Sequence, residues 1–252
     1  MKFIEKNLGD IDHCNIIPLS DIHVGDSFFN EKKYLKMIKW IENNKDVYVT
    51  LGGDLINNAI IGSVSDIYGE VKTPSQAKKW VVNSLMPIKD RILGVVRGNH
   101  ENRSKKLTDW DITEDIASEL DAPYNAESLY INIKLGNYRN RGRVNYTMFL
   151  NHGAGGGSTP GGRANSVYKA NKIVLADLYV VGHYHNMITF PDTIFVPDLK
   201  HRRLEQIKRM YVVSGSYTEY GGYAEDAMFA PGKTGCPRIY LSGTSKNFHV
   251  SI

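Results

Sequence analysis

Five short apolar runs in this chain each stop at residues that can bind a metal ion, and this recurrence restricts the fold more than any other feature. Ile16 to Leu19 leads to Asp21 and His23, Val47 to Leu51 to Asp54, and Leu93 to Val96 to Asn99, His100 and Glu101. Met148 to Leu150 leads to His152, and Leu178 to Val181 to His183 and His185. Short β-branched and aliphatic runs read as buried strands, and Gly52, Gly53 and Gly98 break them where the polar residues begin. The expectation is a set of strands whose ends feed one cluster of oxygen and nitrogen ligands.

Helical patterns separate these strands in the first half of the chain. Asn30 can cap a helix with Tyr34, Met37, Ile38 and Ile41 on one face. Thr73-Pro74-Ser75-Gln76 has the residues of a capping box with Pro at the first helical position; Ala77, Trp80, Val81 and Leu85 follow, and Pro87 stops the helix. Thr108 with Asp111 starts a third helix carrying Ile112, Ile116 and Leu120, and Pro123 ends it. Leu129 to Leu135 and Val144 to Leu150 read as a hairpin with Arg139 and Arg141 at its tip. The run from Gly153 to Gly162 is too rich in glycine for regular structure and lacks the G-K-[ST] ending of a phosphate loop; a helix with Val167, Ala170 and Val174 follows. Beyond Leu178 come strands at Ile188 to Phe190, Ile194 to Val196, Met210 to Val213, Arg238 to Leu241 and Phe248 to Ile252. The alternation predicts βαβ units with antiparallel additions, in one α/β domain over residues 1–252 with two sheets flanked by helices.

Composition bounds the function classes. Hydrophobic residues make up 42% and charged residues 23%, ordinary for a globular protein, and the net charge of +4 leans towards anionic partners without naming one. The two cysteines, Cys14 and Cys236, are far apart and form no C-x-x-C pair, so a disulfide framework or zinc knuckle is not expected. The opening segment has no apolar core of a signal peptide, and no run is long enough to span a bilayer. A soluble, cytoplasmic protein is the expectation.

Asp21 and His23 flank the apolar Ile22, and His183 and His185 flank Tyr184. On an extended segment residues i and i+2 point to the same side, so each pair can reach one ion. Asp54, Asn99 and His152 bring the set to seven, more than one tetrahedral ion can use. Two ions sharing a bridging carboxylate would use all seven. Any one of these fragments alone is more often a helix cap or a solvated loop; five in order, each behind an apolar run, are not. His13, His201 and His249 lack this placement and read as ordinary histidines, and Cys14 as a core residue.

D-I-H, G-D-L-I-N, G-N-H-E, N-H-G and G-H-Y-H, in that order over Asp21 to His185, resemble the five motifs of the calcineurin-like metallophosphoesterase superfamily. The resemblance implies a four-layer α/β/β/α sandwich with a binuclear centre of two divalent transition-metal ions, manganese first, with iron, zinc or nickel as alternatives. One ion would be held by Asp21, His23, Asp54 and His185, the other by Asp54, Asn99, His152 and His183. It further implies in-line attack on phosphorus by a metal-bound hydroxide. His100 would protonate or stabilise the leaving oxygen, and Glu101 would orient His100.

Departures from the family's branches set the expected substrate. Asn57 stands where the protein Ser/Thr phosphatases have an Asp, and the Arg that clamps a monoester next to it is absent, leaving Arg97, Arg103 and Arg163 as candidate substrate-binding cations. G-H-Y-H and the segment Val212 to Ser216 are closer to the phosphodiesterase and repair-nuclease branches. A phosphodiesterase, with DNA or RNA as a candidate substrate, is therefore the first expectation. A phosphomonoesterase is the second, and a scaffold without turnover the third. Lys200, Arg202, Arg203, Lys208 and Arg209, with Tyr217, Tyr220 and Tyr223, are candidate nucleic-acid contacts or else a solvated helix face and a loop.

Overall fold

Alternating burial along the apolar runs builds two mixed sheets of six strands each. The computed structural model describes residues 1–137, 142–157, 159–226, 228 and 230–252. In one sheet β2 (His13–Leu19), β3 (Val47–Leu51), β4 (Ile92–Val96) and β5 (Tyr124–Asn125) run parallel, and β11 (Arg238–Ser242) and β12 (Phe248–Ser251) extend it antiparallel beyond β2. The other sheet has the order β1 (Lys2–Asn7), β6 (Ser128–Leu135), β7 (Val144–Asn151), β8 (Leu178–Val181), β10 (Arg203–Ser214) and β9 (Met187–Asp198). Within it β7, β8 and β10 are parallel.

Successive strand residues face opposite ways, and this assigns the layers. Leu178 and Val180 of β8 point between the sheets, where they join Ile16, Met148, Val212 and Leu241 in one core. Tyr179 and Val181 point outward, into a cluster with Val167 of α5 (Pro160–Tyr168). On the opposite outer face Val49 and Leu51 pack with residues of α1 (Glu31–Asn43), α2 (Pro74–Leu85) and α4 (Ile112–Glu119). Helices thus flank both sheets, as expected. Among the described residues no helix is long and apolar enough to cross a membrane.

The helix starts set by local chemistry lie where the sequence puts them. Asn30 caps α1 by accepting from the Lys33 N–H, Thr73 and Gln76 close the capping box of α2, and Asp111 caps α4. Four elements differ from expectation. β1 is an edge strand whose polar, half-exposed pattern carries no buried-strand signal. The G-N-H-E segment is not only a turn but the first residues of a helix, α3 (Asn99–Thr108), whose buried residues are Glu101 and Ser104; with no apolar stripe it shows no helical period. Gly161 and Gly162 lie inside α5, because Thr159 caps it and Pro160 presets its first turn. Finally, Ile188 to Val196 is one strand that runs through Pro191, paired along its length with β10.

This last pairing corrects the reading of the basic run. Lys200 to Arg209 is the tip and return strand of a long hairpin, not a helix face, and Arg209 is buried against Asp192. Since β10 runs parallel to β8, its C-terminal end lies beside His183 and its start ten residues away, ~33 Å off at about 3.3 Å per residue. Lys200, Arg202 and Arg203 therefore stand at the opposite end of the sheet from the ligand cluster. Tyr217 is fully buried with its hydroxyl on the Cys236 sulfur at 3.2 Å, so it cannot stack on a base. Arg139 and Arg141 lie outside the described residues.

Candidate metal centre

The strand ends of both sheets meet at one point. Asp21 and His23 follow β2, Asp54 follows β3, Asn99 opens α3 after β4, His152 follows β7, and His183 and His185 follow β8. Ligand atoms of Asp21, His23 and His185 lie within 4.8 Å of one another, and so do those of Asp54, His152 and His183. Between the groups sits Asp54, whose Oδ2 is 3.3 Å from His152 Nε2 and 4.0 Å from His23 Nε2. Asn99 Oδ1 is 2.9 Å from His152 Nε2. All seven ligand residues read from the sequence are in the cluster.

The i, i+2 spacing works, though for a different reason than an extended strand. Asp21, His23, Asp54, His183 and His185 all have left-handed backbone, with φ between 50° and 73°. Non-glycine residues pay for that conformation only where surrounding contacts enforce it. Here the Asp21 N–H donates to the Gly53 carbonyl at 3.0 Å, and the Ile22 and His23 N–H groups both donate to the Asp54 carbonyl. The His183 N–H donates to the Asp21 carboxylate at 2.9 Å, and Ile22 turns fully inward. A Cβ on Gly53 would stand 2.5 Å from the Gly98 nitrogen, so the G-D and G-N turns stack only because both are glycine.

The donor set fits divalent ions. The His152 Nδ1–H donates to the Gly52 carbonyl at 2.8 Å, which turns the Nε2 lone pair towards Asn99 Oδ1 and Asp54 Oδ2. With Nε2 unprotonated, as a metal ligand must be, three acceptors converge there. His183 Nε2 lies 2.9 Å from the Gly155 carbonyl and donates to it, leaving Nδ1 as its ligand atom. His23 Nε2 and His185 Nε2 are 3.0 Å apart, and buried His23 Nδ1 has no partner among the described residues. Burial and the neighbouring His100 hold His23 well below the usual imidazole range, so it is neutral and can offer a lone pair. Burial opposes charge on Asp54, but His152 and His100 outweigh it and keep the carboxyl well below its ordinary value. Conversely, burial disfavours the His152 cation, yet Asp54 pushes it up to about 10.

His100 sits beside this cluster, its Nε2 3.8 Å from Asp54 Oδ2. The expected partnership with Glu101 is replaced by another. The His100 Nδ1–H donates to the Asn57 carbonyl at 2.6 Å, and Arg103 Nη2 donates to Nε2 at 3.0 Å. Glu101 instead turns under the G-D turn and accepts from the N–H groups of Asp54, Leu55, Ile56 and Gly98, at 3.1, 2.6, 3.1 and 3.2 Å. Burial and the charge of Asp54 raise its carboxyl to about 7. Its role is to hold Asp54's backbone in place. Glu101→Gln can satisfy at most two of those four donors, and the loss should be about 2–4 kcal/mol of stability, read as a lower urea midpoint with an unchanged slope. An altered pH profile with native stability would restore the expected role.

Of the three candidate cations, Arg103 is the one that hydrogen-bonds His100 among the described residues. The Arg97 guanidinium is held by Asp111 at 2.5 Å, and Arg163 is buried with its Nε on the Gly157 carbonyl at 2.7 Å. Several supporting groups escaped the sequence reading. Ser20 Oγ donates to Asp21 Oδ2 at 2.5 Å, Asn58 Nδ2 holds the His100 carbonyl at 2.7 Å, and Glu70 accepts from the Asn57 side chain at 2.7 Å. Ser20, next to Asp21 at the strand end, offered a local signal. The carbonyls of Gly52, Asn57 and Gly155 offered none, since every residue has one.

No curated protein sequence matches the chain. Among solved structures, a conserved uncharacterised protein described as a predicted phosphoesterase from Streptococcus pneumoniae shares 13% identity over 95% of this chain and 88% of its own, with a TM-score of 0.38. The calcineurin-like phosphoesterase YfkN from Bacillus subtilis shares 11% over 95% and 88%, with a TM-score of 0.43. A metallophosphoesterase from Sphaerobacter thermophilus shares 12% over 94% and 88%, also at 0.43. A sequence profile of the calcineurin-like phosphoesterases matches residues 15–187, the span that holds every strand end of the cluster, and the chain belongs to that family.

Proposed function

We propose that this metal-dependent phosphoesterase uses two divalent ions, manganese first among them, to cleave phosphodiesters. The observation that supports the two-ion reading is the position of Asp54 Oδ2 between the two ligand groups. Asp21, His23, Asp54 and His185 would hold one ion, and Asp54, Asn99, His152 and His183 the other. Bound there, divalent ions would draw charge from the phosphoryl oxygens and supply a nucleophile at neutral pH. His100, anchored through Nδ1 by the Asn57 carbonyl, turns Nε2 to the cleft beside Asp54; as the imidazolium, with Arg103 no longer donating to Nε2, it would donate a hydrogen bond to the leaving oxygen.

The diester reading rests on charge. A monoester dianion carries one more negative charge than a diester and is favoured where several cations surround the phosphate. Here the Arg97 guanidinium is paired with Asp111, and the Arg163 Nε is held by the Gly157 carbonyl. Ile61, Val64 and Tyr68, on the loop that continues from Asn57, are exposed and would be candidates to meet the organic groups of a diester. DNA or RNA remains within the proposed class, in short or single-stranded form, with the Lys200 to Arg203 hairpin no part of its binding. Arg103 is the observation that favours the second reading, a phosphomonoesterase. With manganese, a bis-nitrophenyl phosphate should be hydrolysed with higher kcat/KM than the mononitrophenyl ester, and metal analysis should give close to two ions per chain. A monoester preference would hand the conclusion to the second reading, and a single bound ion would end the two-ion proposal.

A further inference from the structure

Among the described residues Arg103 is the guanidinium that hydrogen-bonds His100, and its hydrogen-bond partners are all neutral. Nη1 donates to the carbonyls of Asn57 and Asn58 at 3.2 and 3.4 Å and to Ser65 Oγ at 3.0 Å, while Nη2 donates to His100 Nε2 at 3.0 Å. Among the described residues no carboxylate lies within ion-pair distance of it; Arg91 and Arg163 likewise bond only carbonyls, but of the three only Arg103 bonds His100. Asp54, Glu101 and Glu70 act on this half-buried cation only from beyond ion-pair distance, which leaves its fork with neutral partners that an anion can displace. One step beyond His100 lie Asp54 and the ligand cluster, where a phosphoryl group would sit. The planar fork of an Arg suits two phosphate oxygens, and α3 and the loop carrying Asn57, Asn58 and Ser65 hold this one in place.

We infer that Arg103 binds a non-bridging oxygen of the scissile phosphate and sets how far the site discriminates between a monoester dianion and a diester monoanion. The inference rests on the phosphoesterase reading and deepens it. Its hydrogen bond to His100 Nε2 is exchanged for one to the phosphate when substrate enters. The side chain thus serves as the cation that the G-D turn lacks, reached from α3 instead.

The test compares native protein with Arg103→Gln and Arg103→Lys, all loaded with manganese. Isothermal titration with inorganic phosphate gives affinity without turnover, and nitrophenyl mono- and diesters give kcat/KM. Arg103→Gln should weaken phosphate binding about 10–100-fold, the worth of a charge-assisted hydrogen bond, and lower kcat/KM more for the monoester than for the diester. Bound metal and thermal midpoint should stay at native values, and Arg103→Lys should recover part of the affinity. Unchanged phosphate binding in Arg103→Gln overturns the inference. So does an equal loss on both esters accompanied by loss of metal or of thermal stability, which would make Arg103 a tether for the Ser65 loop. Native protein that hydrolyses neither ester would instead refute the phosphoesterase reading itself.

Discussion

Asp54→Asn should remove most of the bound metal and the turnover together. Asp54 is the residue whose carboxylate faces both ligand groups, with Oδ2 3.3 Å from His152 Nε2 and 4.0 Å from His23 Nε2. An amide in its place brings one neutral acceptor and an N–H₂ group that repels cations, so neither ion keeps a full shell. Changing even an outer partner of a ligand typically costs 10–100-fold in metal affinity or activity, and loss of a shared ligand should exceed about 100-fold in both. The backbone should hold, because the fold around residue 54 depends on its N–H and C=O groups, which contact Glu101, Ile22 and His23. The checks are metal content by elemental analysis, turnover with added manganese, and circular dichroism for the fold. Native metal content in Asp54→Asn would refute the shared position.

His100→Asn should separate chemistry from metal binding. His100 Nε2 approaches Asp54 Oδ2 to 3.8 Å, and His100 is close enough to His23 and Asp54 to form a third ligand group with them. Its main-chain N–H also donates to Asp54 Oδ1 at 2.8 Å, an interaction any residue keeps. A side chain that assists the leaving oxygen contributes about 10²–10⁴-fold to turnover. Turnover should fall by that factor while metal content stays native. A fall in bound metal would make His100 a ligand instead, and the reading of its role would fail. An activated ester such as a nitrophenyl diester, whose leaving group needs little help from a proton, should lose less than an alkyl diester.

Which residues supply the ligands was readable from the chain because their signal is local. An apolar run followed by Asp, Asn or His marks a buried strand end with a donor atom, and five such ends in order left few other readings. The caps of α1, α2 and α4 were readable for the same reason: Asn30, Thr73 and Asp111 each bond a backbone N–H three residues away, within one turn. Elements without such a signature were missed. α3 buries a carboxylate and a hydroxyl where a helix usually buries an apolar stripe, and β1 is a polar edge strand, so neither has a period to detect.

Contacts between distant segments decided the rest. Glu101 lies beside His100 in sequence, which suggests a partnership, but four N–H groups from residues 54, 55, 56 and 98 outcompete His100 for its carboxylate. The left-handed backbone of Asp21, His23, Asp54, His183 and His185 is held by bonds that join β2 to β3 and β8 to β2, and no local preference of Asp or His would have chosen it. Arg97, Arg103 and Arg163 are alike as residue types; only the placement of Asp111, His100 and Gly157 around them separates the cation bonded to His100 from the two bonded to other groups. Residue chemistry sets which atoms can bind an ion or a phosphate. Which of those atoms are free to do so depends on hydrogen-bond competition among groups that only the folded sheets bring together.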